Sequence, residues 1–295
     1  MEINQLKYFC ALAGIRHFTR AAQEISISQS ALSRSIHKLE QELGVPLFLR
    51  GSREARLTAQ GQRFLIHAER ALREIERARQ DIESGGDPAR GVIGLSFMHS
   101  LGIHILPQLL SEFKALYPDI QFSLNQDNSS VLAQSLLEGR ADICLCSIMV
   151  NMEQLAWLYL YTEELFAVVP KGHPFADKKS IDLKEIEDQP FITLKPNYSL
   201  RILTDQFCAI SGIRPPVIFE GDDINTAAAL VSAHLGVSLL PRITGIETAG
   251  LVFIPVSFPV CRREIGLAWS TTRPLSPAAL LFQQFVINRF REKRD

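Results

Sequence analysis

The stretch that decides the fold is SQSALSRSIHKLEQELG, residues 28–44. Its apolar side chains are spaced four, three and four residues apart, which places them on one face of a helix. They are Leu32, Ile36, Leu39 and Leu43. Ser28 can accept hydrogen bonds from the first free N–H groups, and Gly44 favours the left-handed turn that ends many helices. The stretch therefore predicts an amphipathic helix with a defined start and end.

The opposite face of this helix is polar and carries no Asp or Glu. Its residues, with Gln29 at the helix start, are Gln29, Ser30, Ser33, Arg34, His37, Lys38 and Gln41. Arginine can pair with the O6 and N7 atoms of guanine, and glutamine with adenine. A recognition helix reads bases in the major groove with its N-terminal residues. The pattern is equally typical of a helical bundle with a solvated polar face, so both interpretations stay open on the residues alone.

Short elements flank this helix on both sides. Leu6, Phe9 and Ala13 share one face of an earlier helix, and Thr19 can cap a second helix that contains Ala21 and Ala22. After Gly44, two apolar pairs enclose a basic turn, which predicts a small β-wing whose arginines contact phosphates. The arginines are Arg50, Arg53 and Arg56. Residues 1–60 hold 8 Lys and Arg against 5 Asp and Glu, whereas residues 91–295 hold 17 against 21.

Residues 1–61 resemble the N-terminal winged helix-turn-helix of the LysR-type transcriptional regulators. The matching positions include Leu6, Phe9, Phe18-Thr19, Ala21-Ala22, Ser28-Gln29-Ser30-Ala31, Ser33, Ile36, Leu39-Glu40, Leu43-Gly44, Leu47-Phe48, Arg50, Leu57-Thr58 and Gly61. Ile25 and His17 depart from the usual residues, and neither lies on the polar face. The resemblance implies a DNA-binding domain at residues 1–58 whose partner is double-stranded promoter DNA.

A heptad-like stripe follows at residues 59–86. Its members are Phe64, Ala68, Ala71, Ile75, Ala78 and Ile82, spaced four and three residues apart in turn. Such spacing is typical of a coiled-coil seam, although alanines bury little area. The residues alone are also compatible with a helix packed on its own domain. The resemblance favours a linker helix that joins two copies of the chain, with a tetramer as a dimer of dimers.

From Gly91 onward, short apolar runs alternate with helical patterns, which indicates an α/β domain. The first strand, at Gly91–Phe97, leads through Met98–Leu101 into a helix. A polar turn at a helix N-terminus attracts anions, because the N–H groups there are free and the dipole is positive. Ser100 can donate a hydrogen bond to such an anion, or it can simply cap the helix.

The same resemblance extends over the body of the chain. It rests on Ile105-Leu106-Pro107, Leu116-Tyr117-Pro118, Gly139–Ile143, His173-Pro174 and Leu235–Pro241. It implies a two-lobed α/β effector-binding domain at residues 91–295, like that of periplasmic solute-binding proteins. The first lobe would take residues 91–161 and 267–295, and the second lobe residues 162–266. A small-molecule effector would bind between them.

The family's cleft positions map onto four segments of this chain. They are Met98, His99, Ser100 and Leu101; Ser147 and Ile148; residues 195–201, with Lys195, Tyr198 and Arg201; and Asp222, Asp223 and Ile224. Lys195 and Arg201 could balance a carboxylate, so we expect an anionic effector. Asp222 and Asp223 could bind an amine, and Tyr198 could cover the ligand. Each of these side chains could instead be solvated or simply packed.

Composition and missing motifs exclude several classes of protein. The chain has 295 residues, of which 46% are hydrophobic and 21% charged, as in globular proteins. The apolar run at residues 8–15 lacks the basic start of a signal peptide, so we expect a cytoplasmic protein with reduced cysteines and no membrane partner. Cys144 and Cys146 predict buried thiols rather than a zinc site, and an exposed redox thiol is the less favoured alternative.

No phosphate-binding loop, dinucleotide fingerprint or nucleophile elbow is present in the sequence, so we expect neither cofactor, metal nor catalytic residues. The alternatives are an enzyme with an accessory head and a plain solute-binding protein. The preferred hypothesis is a DNA-binding regulator controlled by a small molecule, with RNA polymerase as a further candidate partner.

Overall fold

A computed structural model describes residues 1–49, 54–83, 87–147, 153–242 and 249–292. The chain forms two compact units. The first comprises Met1–Gly85 and Glu138–Arg140, and the second comprises Gly86–Leu137 and Ala141–Asp295. None of the helices in these described ranges is both long and apolar enough to cross a membrane.

The first unit is helical, as predicted. Its helices are α1 (Ile3–Ile15), α2 (Phe18–Glu24), α3 (Gln29–Leu43) and α4 (Ala59–Glu83). Three of the four apolar positions on α3, Leu32, Ile36 and Leu39, are buried in this core, whereas Leu43 at the helix end is 36% exposed. Phe9 of α1 lies at the centre, where its ring contacts those of Phe48 and Phe64. The spacing that predicts an amphipathic α3 therefore corresponds to a real core.

The predicted ends of α3 are confirmed, whereas the predicted start of α2 is wrong. The Ser28 side chain accepts from the Ala31 N–H at 3.2 Å, and Gly44 ends the helix with a φ of 70°. Helix α2 begins one residue before Thr19, and its N-cap is His17, whose Nδ1 accepts from the Arg20 N–H at 3.4 Å. The imidazole occupies the position that the shorter hydroxyl was expected to take.

An antiparallel bridge between Phe48 and Leu57 closes the base of the wing. The Leu49 N–H donates to the Arg56 carbonyl at 2.8 Å, which extends the pairing by one step. Arg50 and Arg53 lie outside the described residues, so their predicted position at the tip stays a prediction.

The apolar stripe of α4 has two environments. Phe64 and Ala68 pack into the core of the first unit. Ile75 is 43% exposed and Ile82 is 79% exposed, and Ala71 and Ala78 of the same stripe are exposed as well. The domain thus covers only the beginning of the stripe.

The second unit contains two hydrophobic cores. The first core packs beneath a run of strands in the order β2-β1-β3-β10-β4. These are β1 (Gly91–Met98), β2 (Ile120–Asp127), β3 (Ile143–Ser147), β4 (Leu155–Pro170) and β10 (Arg262–Ser270). The helices around this core are α5 (His99–Gly102), α6 (Ile105–Leu116), α7 (Ser129–Leu137) and α10 (Pro277–Arg291). Strand β1 pairs in parallel with β2 and β3, so all three end at the same edge.

The second core lies between the far half of β4 and the remaining strands. These are β5 (Ile181–Asp182), β6 (Phe191–Leu194), β7 (Val217–Gly221), β8 (Ser238–Pro241) and β9 (Leu251–Phe258). Helices α8 (Ser199–Ile210) and α9 (Ile224–Ser232) pack with them, as does a short 3₁₀ helix at Leu183–Ile186. Strands β6 and β7 form a separate parallel pair.

Two strands connect the cores. On β4, Leu160 belongs to the first core and Leu165 to the second. The second connection runs from Cys261, in the second core, to Ile265 of β10, in the first. Because β4 and β10 pair antiparallel along this region, the chain passes between the cores as a two-stranded ribbon. The predicted two-lobed α/β architecture is confirmed.

Candidate functional site

The polar face of α3 is fully solvent-exposed. All seven predicted positions on it, Gln29, Ser30, Ser33, Arg34, His37, Lys38 and Gln41, are exposed. They point away from the buried face that holds Leu32 and Ile36. The cap at Ser28 and the buried apolar face together hold the first turn rigid, which a surface that reads bases requires.

The side chains of this face differ in how they are engaged. Lys38 donates to Glu2 at 3.0 Å, and a ring nitrogen of His37 contacts Gln41 at 3.0 Å. Arg34 makes no ion pair within the described part of the chain. Its guanidinium is therefore available for an external acceptor, such as a guanine edge.

Arg56 is the wing arginine that the structure describes. It is exposed and lies 3.2 Å from Glu54. An exposed pair of this kind is weak, because water screens both charges. Arg56 can therefore exchange its carboxylate partner for a phosphate.

A second candidate site lies where parallel strands end. Strands β1, β2 and β3 finish at Met98, Asp127 and Ser147, and β6 and β7 finish at Leu194 and Gly221. Ligands of open α/β sheets bind at the carboxyl ends of such strands. A narrow pocket lies at these ends. Its empty space is about 340 Å³ when open solvent is included, and the part that the centres of water molecules can occupy is about 20 Å³. The pocket is lined by Met98, His99, Ser100, Asp127, Asn128, Ser129, Leu194, Tyr198, Ser199, Leu200, Asp222, Asp223, Ile224 and Arg263.

A buried arginine forms one wall of this pocket. Arg263 is 2% exposed, and its Nε donates to Glu163 of β4 at 2.6 Å. Its Nη2 donates to the Ser100 hydroxyl at 3.0 Å. The Tyr161 hydroxyl also donates to Glu163, at 3.0 Å, and burial followed by the Glu163 charge raises the pKa of Tyr161. Glu163 thus neutralises Arg263 from behind, and Ser100 covers the side that faces the pocket.

Met98 joins the two lobes through its sulfur. The Ser199 hydroxyl, at the start of α8, lies 3.4 Å from the Met98 sulfur, and the Ser147 N–H approaches the same atom at 3.4 Å. The Ser199 contact crosses between the lobes, and because sulfur is a weak acceptor it holds them only lightly. Met98 is also the N-cap of α5, so the interpretation of Ser100 as a helix cap is wrong.

Acidic residues form the wall contributed by the second lobe. Asp222 accepts from Lys195 at 2.6 Å and from the Tyr198 hydroxyl at 3.2 Å. The hydrogen bond from Lys195 is the main cause that holds the pKa of Asp222 below its usual range. Burial acts to raise the pKa of Asp223, but hydrogen bonds from Thr226 and Asn225 lower it overall, because Asp223 caps α9.

Four predicted pocket residues that the structure describes do not line the pocket. Ser147 is 3% exposed at the end of β3 and is not among the lining residues. Arg201 lies away from the pocket, where it is held by Asp205, Glu220 and the Leu194 carbonyl. Leu101 is 1% exposed and packs in the first core. Lys195 sits exposed beside the pocket, bound to Asp222. Ile148 lies outside the described residues. The structure brings Met98, His99, Ser100, Tyr198, Asp222 and Asp223 together.

Sequence reasoning missed Arg263, Asp127 and Ser129, whereas Ser199 lies in the predicted 195–201 segment. Asp127 had a usable signal, because it follows an apolar run at Ile120–Leu124 and stands at the end of β2, just as Met98 stands at the end of β1. Arg263 had none. It lies on a strand that runs antiparallel to β3, and its role depends on partners about 100 and 163 residues away.

The cysteines are not set up for redox chemistry. Cys144 and Cys146 are fully buried, as predicted. Burial raises the pKa of Cys10 and Cys208 to about 11 and that of Cys261 to about 12. Such thiols stay protonated at neutral pH and react slowly. Within the described ranges, no group of three or more His, Cys, Asp or Glu side chains is placed to hold a metal ion.

Comparison with known proteins gives matches over both units. Residues 3–62 match the family described as bacterial regulatory helix-turn-helix protein, lysR family, and residues 86–291 match the LysR substrate binding domain. The transcriptional regulator YybE of Bacillus subtilis strain 168 is 42% identical, over 99% of this chain and 100% of its own length. The transcriptional dual regulator GltC of the same strain is 36% identical, over 98% of each chain.

One solved structure bears on the second unit. It is the effector-binding domain of QuiR in complex with shikimate, which is 28% identical to this chain. It superposes with a TM-score of 0.66, over 69% of this chain and 98% of the QuiR domain.

Proposed function

Because the chain belongs to the LysR family of bacterial helix-turn-helix regulators, we propose that α3 reads promoter DNA and that a small effector with an anionic group controls this binding from the pocket. The chain is a LysR-type transcriptional regulator with an effector-binding domain. The family consists of DNA-binding regulators, so the enzyme hypothesis is dropped.

The observation that carries the proposal is the exposed face of α3, which has no Asp or Glu of its own and on which Arg34 makes no ion pair with any described residue. Arg34 and Gln29 would contact base edges in the major groove, and Ser30, Ser33, His37 and Lys38 would contact bases or flanking phosphates. Arg50, Arg53 and Arg56 would bind phosphates from the wing. Phosphate contacts set the position on the duplex, and base contacts supply the specificity.

The exposed half of the α4 stripe supports a dimer through this helix. Ile75 and Ile82 lie on the same side, and a second copy of α4 would remove both from water. Paired helices would hold two α3 helices at a fixed separation, which sets the spacing of the DNA half-sites. A tetramer built from two dimers, with RNA polymerase as a further partner, completes the proposal.

Ser100 and Arg263 support an anionic group on the effector. The guanidinium already donates to Ser100 on the side of the pocket. An incoming carboxylate could accept from both groups, and hydrogen bonds between charged groups are the strong ones. The neighbouring fold in QuiR binds shikimate, which is a carboxylate.

The effector would act by favouring one arrangement of the lobes. A ligand shifts a conformational equilibrium only through different affinities for the two states. A ligand that contacts Ser100 on one lobe and Tyr198 on the other would hold the lobes together more firmly than the weak contact between Ser199 and Met98. Lobe closure would then alter how dimers pair and how the bound DNA is spaced or bent.

The test is fluorescence anisotropy of the full-length protein on the duplex upstream of its own gene, against a scrambled duplex, across a range of salt. We expect tight binding to the native duplex alone, weakening steeply with salt. Arg34→Ala should lose about 1–3 kcal/mol of discrimination between the two duplexes. The matched control is Arg291→Ala, an exposed arginine of the other unit, which should leave discrimination unchanged. Equal binding of both duplexes by the unmodified protein would contradict the proposal.

A further inference from the structure

The charges around the pocket are unevenly balanced. Three carboxylates line it, Asp127, Asp222 and Asp223. Among the described lining residues, Arg263 is the single Lys or Arg, and its charge is already neutralised by Glu163. Lys195 lies outside the lining and offsets Asp222 from the solvent side. The pocket is therefore acidic overall, although one wall can bind an anion.

One of these carboxylates, Asp222, accepts from the Tyr198 hydroxyl at 3.2 Å, and Asp127 and Asp223 line the same pocket. Burial is the first cause that raises the pKa of Tyr198, and the charges of Asp222, Asp127 and Asp223 raise it further. The pKa values of Asp222 and Asp223 are both held below the usual range, so both carry charge at neutral pH. These acids come from different lobes, Asp127 from the end of β2 and the other two from the turn before α9.

Two further side chains that line this pocket, Tyr198 and His99, suit a cation. The rings of Tyr198 and His99 lie edge to face, with their centres 6.2 Å apart. Aromatic faces attract ammonium groups. The Nδ1 atom of His99 is buried and has no hydrogen-bond partner among the described atoms, so it offers an unused position to a ligand.

A ligand with only negative charge fits this arrangement poorly. Its carboxylate would gain Ser100 and Arg263 but would meet the field of three carboxylates, and like charges at short range raise the cost of binding. A metal ion is not the missing cation, since no suitable ligand group exists in the part of the chain described. The remaining candidate is a cationic group on the ligand itself.

Building on the function proposed above, we propose that the effector is a small zwitterion of the amino-acid type. Its carboxylate binds Ser100 and Arg263, and its ammonium group binds Asp127 and Asp222 beside the ring of Tyr198. Lys195 yields its place on Asp222, because that exposed ion pair is screened by water and is easily exchanged. Recognition of both charges spans the lobes, so only a ligand that carries both closes them.

The experiment measures thermal stabilisation of the full-length protein by three matched sets of probes. The first is the set of common L-amino acids. The second replaces each amine by a hydroxyl, giving the α-hydroxy acid, and the third replaces each carboxylate by its amide. We expect at least one amino acid to raise the Tm. By calorimetry, its hydroxy acid and its amide should bind at least about tenfold more weakly, since each lacks one charged hydrogen-bonding group.

Variants separate recognition from general charge effects. Asp127→Asn and Asp222→Asn should each weaken amino-acid binding by about tenfold, and should not weaken binding of the hydroxy acid. The control is Asp205→Asn in the same unit, where the carboxylate contacts Arg201 away from the pocket. That variant should bind the amino acid as the unmodified protein does.

Three results would overturn this inference. They are equal binding of an amino acid and its hydroxy acid, no stabilisation by any amino acid in the set, and loss of binding in Asp205→Asn as large as in Asp127→Asn. The anisotropy experiment tests DNA binding independently of the effector, so failure of the regulator function can be told from failure of the zwitterion proposal. If binding to the native duplex remains specific, the regulator function stands and only the zwitterionic nature of the effector fails.

Discussion

The polar face of α3 and the pocket of the second unit each depend on one arginine, in opposite settings. Arg34 is exposed and makes no ion pair among the described residues, on a helix face that has no Asp or Glu of its own. Arg263 is 2% exposed, bonded to Glu163 and Ser100, in a pocket rich in acids. An exposed cation can be held ready for any phosphate or base at no cost in folding. A buried cation must be neutralised within the protein, so its selectivity depends on the geometry of its partners.

The largest expected difference is in stability. Arg263→Ala leaves Glu163 without its cation, and breaking a partly buried pair in this way costs about 3 kcal/mol of unfolding free energy. Arg34→Ala should change stability by less than about 0.5 kcal/mol, as exposed substitutions do. Urea unfolding measures both values. If the double variant Arg263→Met with Glu163→Gln regains the lost stability, the unbalanced charge of Glu163 is responsible. Equal losses of stability in Arg263→Ala and Arg34→Ala would contradict the expected difference between a buried and an exposed arginine.

The next largest effect is expected on α4, where exposed apolar side chains are proposed to form the dimer contact. Ile75→Asp should raise the dissociation constant of the dimer by at least about tenfold, because a carboxylate would enter the proposed seam. Ile66→Asp is the matched control, since Ile66 is 45% exposed on the same helix but lies off the stripe. Sedimentation equilibrium gives both constants. A dimer that tolerates Ile75→Asp as well as Ile66→Asp does not form through this stripe.

The helix caps offer a smaller and sharper test. Ser28 caps α3 and Asp223 caps α9, and replacing either by Ala should cost about 1 kcal/mol at pH 7. Because the pKa of Asp223 is lowered in the folded state, its contribution is complete at neutral pH and is lost as the pH falls below about 4. The Ser28 contribution should not depend on pH. The test is urea unfolding of both variants at pH 7 and below pH 4. If Asp223→Ala lowers the free energy of unfolding equally at both pH values, Asp223 does not act as a charged cap.

The smallest expected effect concerns the thiols of both units, which should behave alike. With pKa values raised to about 11 for Cys10 and Cys208, thiolate is scarce at pH 8. Alkylation by iodoacetamide should therefore be slower in the native protein than in urea, and hydrogen peroxide should leave DNA binding unchanged. A rapidly modified native thiol, identified by mass spectrometry, would bring back the redox-sensor hypothesis.

Local and long-range determinants explain what the sequence could predict. The polar face and both ends of α3 follow from seventeen consecutive residues, so spacing and capping rules suffice there. Two-lobed α/β organisation came from the resemblance and from alternating patterns. The pocket is different, because Ser100 and Arg263 meet only after β10 has paired beside β3. Arg201 shows the converse, since a cation close in sequence to the pocket was drawn to Asp205 and Glu220 instead.

The ribbon formed by β4 and β10 also affects the order of folding during synthesis. The second core draws all its residues from Leu165 to Cys261, one continuous segment. The first core needs both the segment from Ile93 to Leu160 and residues from Ile265 to Phe290. As the chain leaves the ribosome, the second lobe can complete its core while the first still waits for β10 and α10. The lobe that starts earlier in the sequence therefore finishes later, and the pocket with its buried Arg263 is among the last features to form.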